Sequence, residues 1–226
     1  MQSQNPNLFY KKISCISCGK KIEVLQVKQS AMMLEKMDED TCPYYKKENK
    51  LFYDFYICPH CNVPFTKSFE PLSQSEKNKL NTIFYKMKST EEFLEERDLK
   101  EALRLSMLTL LAAKTINASY IQIAGICTKI AWFNRYEENK EEEVRFLQYA
   151  YENYELAYTQ SKTTINGQTV PDEFIIYILG EFSYRLEKYK DTRKWFSQLL
   201  TFNQNNKYVK KGKNRWSDIR PTLKER

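Results

Sequence analysis

The chain has 226 residues, enough for one large domain or two modest ones, and its 42% hydrophobic and 29% charged content predicts a folded protein. No apolar run approaches the ~20 residues that cross a bilayer, and polar residues 1–7 lack the apolar stretch of a secretion signal, so membrane and secreted classes are set aside and a cytoplasmic protein is expected. The net charge of +7 is uneven: residues 203–226 carry +6, residues 71–202 carry −1 and residues 1–70 carry +2.

Taken in order, residues 8–14 lead into a first Cys-x-x-Cys turn, Cys15-Ile16-Ser17-Cys18, closed by Gly19, which accepts a positive φ without steric strain. Residues 20–28 alternate partly, with Ile22 and Val24 on one face, and predict a short strand. Residues 30–37 hold helix-favouring side chains, yet within a small β module they read as a strand. Residues 50–57 predict the clearest strand, with Leu51, Tyr53, Phe55 and Ile57 on one face. That strand runs into a second turn, Cys58-Pro59-His60-Cys61. The two turns are 39 residues apart, and six cysteines in a chain without an export signal point to metal rather than disulfides. Four thiolates from Cys15, Cys18, Cys58 and Cys61 suit tetrahedral Zn²⁺ in a closed structural site. Redox-dithiol and catalytic readings of the same residues are the rivals. Cys42 is a spare thiol: a small buried residue, a ligand that displaces one of the four, or a redox-reactive group. His60, the single histidine, is a further candidate ligand.

From Glu70-Pro71-Leu72 onward the period becomes helical. Ser73-x-x-Glu76 and Ser89-x-x-Glu92 read as capping boxes. Leu80, Ile83, Phe84 and Met87 form one stripe; Ala102, Leu105, Leu108 and Ala112 form the next, after Asp98. Asn117 is expected to cap a third helix running to Trp132 and Tyr136. A fourth begins at Lys140 and buries Leu147, Ala150, Tyr151, Tyr154, Ala157 and Tyr158. Asn166-Gly167 is a turn signal, and Pro171 starts a fifth helix. A sixth buries Trp195, Phe196 and Leu199. Short loops make neighbouring helices antiparallel. The expected fold is mainly α: residues 1–70 a small zinc-ribbon-like or rubredoxin-like β module, and residues 71–226 an array of antiparallel helical hairpins with a basic C-terminal tail. Gly180, Thr192 and Phe196 fit a tetratricopeptide hairpin in which Gly180 lies where two helices cross closely.

Several strings together resemble a known family: Asp40-Thr41-Cys42-Pro43-Tyr44-Tyr45, Leu51-Phe52-Tyr53-Asp54, Cys58-Pro59-His60-Cys61, Ala131-Trp132-Phe133-Asn134-Arg135, Leu179-Gly180-Glu181 and Arg215-Trp216-Ser217-Asp218-Ile219. The chain is similar along nearly its whole length to an uncharacterised bacterial family, domain of unknown function 2225. The resemblance implies a cytoplasmic bacterial protein, zinc-ribbon-like and then tetratricopeptide-like, with no assigned reaction. Asn62 stands where that family often has Gly, and Thr192 where Ala is usual in the repeat.

Neither Gly-x-x-x-x-Gly-Lys-Ser/Thr nor Gly-x-Gly-x-x-Gly occurs, and one histidine leaves little for hydrolytic triads, so an enzyme is not expected. The leading expectation is a non-catalytic adaptor that holds a protein or peptide in a helical groove through Asn134, Arg135, Tyr151 and Tyr154. Core packing is the plainer reading of the tyrosines. The alternative is a nucleic-acid-binding protein using the zinc module and the tail residues Lys210, Lys211, Lys213, Arg215 and Trp216; a terminal helix capping the array is the plainer reading of that tail. A third expectation is a thiol or zinc sensor working through Cys42.

Overall fold

The computed structural model of the chain describes residues 5–86 and 91–224. It is mainly helical with small antiparallel sheets.

The N-terminal stretch is three two-stranded hairpins in series. β1 (Leu8–Ser14) pairs with β2 (Lys21–Val27), from Leu8 opposite Val27 to Ser14 opposite Lys21. β3 (Leu34–Met37) pairs with β4 (Pro43–Tyr45), and β5 (Phe55–Ile57) with β6 (Pro64–Thr66). Each tip turns through a residue of positive φ: Gly19 at 72°, Thr41 at 69° and Asn62 at 59°. Asn is among the side chains that tolerate this region, which lets Asn62 stand in for Gly. The outer tips carry the two cysteine pairs. The middle tip carries Asp38-Glu39-Asp40.

Among the described residues, seven α-helices follow. α1 (Gln74–Phe84) and α2 (Leu99–Thr115) both begin with complete capping boxes, Ser73 with Glu76 and Asp98 with Glu101. α3 (Tyr120–Tyr136) packs most extensively on α4 (Lys140–Thr159), and α5 (Asp172–Arg185) on α6 (Tyr189–Leu199). Between the two pairs, a small hairpin of β7 (Thr164–Ile165) and β8 (Gln168–Thr169) turns on Asn166 and Gly167, both with positive φ. α7 (Lys207–Lys224) packs on α5 and α6. A Cβ on Gly180 would lie 3.0 Å from the Phe196 ring, so the close crossing of α5 and α6 expected at this glycine is present.

Four local expectations differ. Residues 50–57 are not one strand: Lys50–Tyr53 is a 3₁₀ turn, because the Asn49 side chain accepts the Leu51 N–H and draws the chain into a cap. Residues 30–37 are a strand only from Leu34, after a short 3₁₀ turn at Gln29–Ala31. The third helix starts from Ser119, whose backbone N–H and hydroxyl both donate to Gln122; Asn117 instead takes φ 50° in the connection before it. Ile83 is exposed rather than part of the α1 stripe. The second capping box and Met87 involve residues outside those described.

The β hairpins and helices share one core. Cys15, Ile22, Val24, Phe55, Ile57 and Phe65 belong to the same apolar cluster as Leu105, Ile130, Phe133, Leu179 and Phe196. Phe133 of α3 is the hub: the rings of Phe52 and Phe55 stand edge-on to it at 5.6 and 6.5 Å. Arg97 is 6% exposed and donates to the Phe55 carbonyl at 2.7 Å. A second, smaller cluster of Leu8, Leu25, Val27, Ala31 and Tyr53 lies wholly within residues 1–70, but the larger apolar set is common to residues 1–70 and 71–226.

Candidate functional site: a cysteine cluster and an acidic turn

The first and third hairpin tips meet. The Sγ atoms of Cys15, Cys18, Cys58 and Cys61 lie within 4.8 Å of one another, an arrangement that can hold a metal ion. Cys15 approaches Cys61 at 3.7 Å, and Cys18 approaches Cys58 at 3.6 Å. Thiol hydrogen bonds from Cys58 and Cys61 lower the Cys15 thiol while the same contacts raise Cys58 and Cys61, so the hydrogen-bonded sulfurs share and stabilise a thiolate. Backbone N–H groups support the turns: Gly19 donates to the Cys15 carbonyl and Asn62 to the Cys58 carbonyl. Ser17 within the first turn donates to Asn81 of α1 at 3.1 Å, tying the cluster to the first helix.

His60 is exposed on its turn, and neither it nor Cys42 belongs to the four-sulfur group. Cys42 is fully buried on the middle hairpin, where its thiol donates to the Tyr136 hydroxyl at 3.5 Å. Burial pushes that thiol up to about 12, which removes the thiolate a reactive cysteine needs. Cys127 is buried in the apolar core, as its place on a helical stripe implies.

The residues expected to line a helical groove all have partners within the chain. Asn134 is buried and donates to the Ile130 carbonyl. Tyr151 is buried, donating to Asp191 at 3.2 Å and accepting from Trp195 at 3.1 Å. Tyr154 packs on Phe182. Arg135 does meet a carboxylate with two parallel hydrogen bonds, but the carboxylate is Asp40 of the middle tip: Nη2 donates to Oδ2 at 2.6 Å and Nη1 to Oδ1 at 3.1 Å. Nη1 also reaches Asp38 at 2.9 Å, and Nε reaches Glu143 at 2.7 Å.

Around this turn the structure builds a second constellation: Arg135 comes from the expected groove set and Lys211 and Arg215 from the expected nucleic-acid set, while Glu39, Asp40, Tyr177, Glu181 and Arg185 were not expected at a site. Asp40 has no exposed surface and also accepts from Trp132 Nε1 at 3.2 Å. Arg185 of α5 lies 3.5 Å from the same carboxylate. The Tyr177 hydroxyl and Lys211 Nζ donate to the Glu39 carbonyl at 2.6 and 3.0 Å. Glu181, also fully buried, accepts from Arg215 Nε at 2.8 Å. Burial alone would raise the Asp40 carboxyl; the Arg135 and Arg185 guanidiniums outweigh it and hold Asp40 below the usual carboxylate range. At Glu181 burial wins over Arg215 and Arg185, and the carboxyl is raised. The available signal was three consecutive acids in a short β module.

Those contacts join the strings quoted above: Asp40 and Cys42 from one, Trp132 and Arg135 from another, Glu181 and Arg215 from two more. The chain belongs to the DUF2225 family, uncharacterized proteins conserved in bacteria. The family model matches residues 8–219, from the first strand into the last helix. No curated protein and no solved structure matches the chain.

The tail residues divide between two faces of α7. Lys211 and Arg215 turn inward as described, and Trp216 stacks on Phe196 with ring centroids 5.7 Å apart. Lys210 and Lys213 are exposed, as are Lys207 and Arg220. A separate cavity between the third hairpin and α3, lined by Phe55, Thr66, Gly125 and Ile126, has its polar groups already paired: Lys129 to Asp54 at 2.6 Å, and Gln122 to the Ser68 carbonyl. No helix among the described residues is long and apolar enough to cross a membrane.

Proposed function

We propose that the protein is a non-catalytic cytoplasmic binding scaffold, with a structural zinc ion in its β module and a tetratricopeptide-like helical half that holds a protein segment. The observation that carries this reading is the manner in which α3, α5 and α7 hold the middle hairpin tip. Side chains from three helices converge on one short turn and take both its carboxylates and its main-chain carbonyls. That is the chemistry of peptide recognition, not of turnover.

Zinc is supported by the donor set and its spacing. Tetrahedral Zn–S bonds of about 2.3 Å place sulfurs about 3.8 Å apart, close to the 3.6 and 3.7 Å found here. Four thiolates fill the coordination sphere, so the ion would contribute folding energy and leave no position for substrate. The crossing of α5 and α6 at Gly180 supports the repeat reading.

Affinity purification of the native protein with cross-linking mass spectrometry tests the proposal. A stoichiometric protein partner cross-linked to the helical half supports it. The second reading, nucleic-acid binding, draws on the exposed Lys207, Lys210, Lys213 and Arg220 of α7. RNA or DNA that co-purifies through moderate salt and is lost on alanine substitution of Lys210 and Lys213 would replace the first reading with the second.

A further inference from the structure

The middle hairpin tip is three acids held by cations on a helical face. Arg135 of α3 takes Asp38 and Asp40; Arg185 of α5 stands beside Asp40; Lys211 of α7 takes the Glu39 carbonyl and lies 3.6 Å from its carboxylate. Two further hydroxyls read the main chain: Tyr177 donates to the Glu39 carbonyl, and also reaches the Glu39 carboxylate at 3.3 Å, and Tyr136 donates to the Pro43 carbonyl. Main-chain contacts of this kind are indifferent to side-chain type in a segment that makes the same turn, while the cations select for acidic ones.

The tip does not satisfy this face completely. Glu181 Oε2 is buried without a hydrogen-bond partner among the described residues, and so is Arg185 Nε, which stands at ion-pair distance from Asp40 without forming a hydrogen bond. Unpaired buried donors and acceptors are unfavourable, and an occupant that fitted the face fully would pair them. The tip is also only partly enclosed: the Asp38 and Glu39 side chains are 24% and 46% exposed. It is tethered within the 39 residues between the two cysteine turns, so its local concentration at the face is high and a modest intrinsic affinity is enough to fill the site.

We propose that the face formed by Tyr136, Arg135, Tyr177, Arg185 and Lys211 is a receptor for an acidic peptide segment, and that Asp38-Glu39-Asp40 is its intramolecular occupant. The partner class is a protein segment with consecutive carboxylates that takes up the same turn and binds by displacing the tip. This assignment rests on the scaffold reading above and adds to it the surface and the chemistry of the partner.

The probe is a fluorescent synthetic peptide of residues 36–45 with Cys42→Ser, followed by anisotropy against the full chain. Asp38→Asn combined with Glu39→Gln weakens the internal occupant while leaving Asp40 to hold Arg135. The double variant is expected to bind the probe at least tenfold more tightly than the unaltered chain. Lys211→Glu added to it is expected to abolish that gain, and a probe carrying Asn-Gln-Asn in place of the acids is expected not to bind. A folded double variant with no gain overturns the proposal. A second measurement needs no substitution: Cys42, at the base of the tip, has no exposed surface, and saturating probe, which lacks this cysteine, is expected to raise its alkylation rate in the unaltered chain at least tenfold, read at Cys42 by mass spectrometry. No change in that rate at saturating probe means the tip is not displaced, and overturns the proposal on its own. A native partner cross-linked elsewhere on the helical half, together with a silent probe, would retain the scaffold reading and reject this one.

Discussion

Asp40→Asn tests whether the buried ion cluster holds the middle hairpin to the helices. Asp40 accepts from both Nη atoms of Arg135, from Trp132 Nε1 and from the Cys42 N–H. Asn is nearly isosteric, retains one acceptor oxygen and removes the charge. Breaking a buried pair from one side costs about 3–5 kcal/mol. Arg135 keeps Asp38 at 2.9 Å and Glu143 at 2.7 Å, so the lower end applies, about 3 kcal/mol. For a chain of this size that is a fall in Tm of roughly 6–12 °C. Glu181→Gln is the matched control, since Glu181 is as deeply buried but has its carboxyl raised, not lowered. Its ionised form is disfavoured by the site, and Gln still accepts from Arg215, so a loss below about 1 kcal/mol is expected. The pH dependence separates them by sign. Asp40, depressed in the fold, contributes stability that is present above the ordinary Asp value of about 4 and is lost as pH falls through its folded value. Glu181, raised in the fold, contributes stability that is present below about 4.3 and is lost as pH rises through its folded value. Urea unfolding at pH 7, 5 and 3.5, followed by tryptophan fluorescence, reads both. Asp40→Asn should differ most from the unaltered chain at pH 7 and converge with it in acid, whereas Glu181→Gln should be closest at pH 7 and fall behind in acid. Equal losses for the two variants at pH 7, or a loss under about 1 kcal/mol for Asp40→Asn, would refute the reasoning.

Three further outcomes are expected. Metal analysis of the purified protein should find about one zinc per chain, one four-thiolate site being a full tetrahedral set; Cys15→Ser or Cys58→Ser should lose it, and Cys42→Ser, whose sulfur lies with Tyr136 and not in the cluster, should keep it. Gly180→Ala should lower stability by about 1 kcal/mol in chemical unfolding, because overpacking outweighs the gain in helix propensity: the new methyl meets Phe196, which is held against Trp216. A chain lacking residues 1–70 should keep some far-ultraviolet helical signal but lose its near-ultraviolet signal and cooperative melting. That deletion strips Phe52 and Phe55 from Phe133, Asp54 from Lys129 and the acidic tip from Arg135; an unaltered sharp melt would show that the helices stand alone.

Local order was legible in the sequence. The two Cys-x-x-Cys turns announced their own meeting, because four soft ligands in a chain of this kind have one common use. Ser73 and Asp98 marked helix starts through bonds made within four residues, and the apolar stripes of α2 to α6 followed from a 3.6-residue period. Errors arose where two local signals competed, as where Asn49 drew an alternating stretch into a 3₁₀ turn, or where Ser119 rather than Asn117 took the cap. What tertiary structure alone decided was the use of each charge. Arg135, Lys211 and Arg215 had the composition of residues that reach outward to a partner, and the fold directed them to Asp40, Glu39 and Glu181, between 34 and 172 residues away. Periodicity shows which face of a helix is buried, but a long cation ends wherever a carboxylate is brought within about 3 Å. That depends on how three hairpins, too small to bury their own apolar faces, dock on the helices, and only the assembled core sets it.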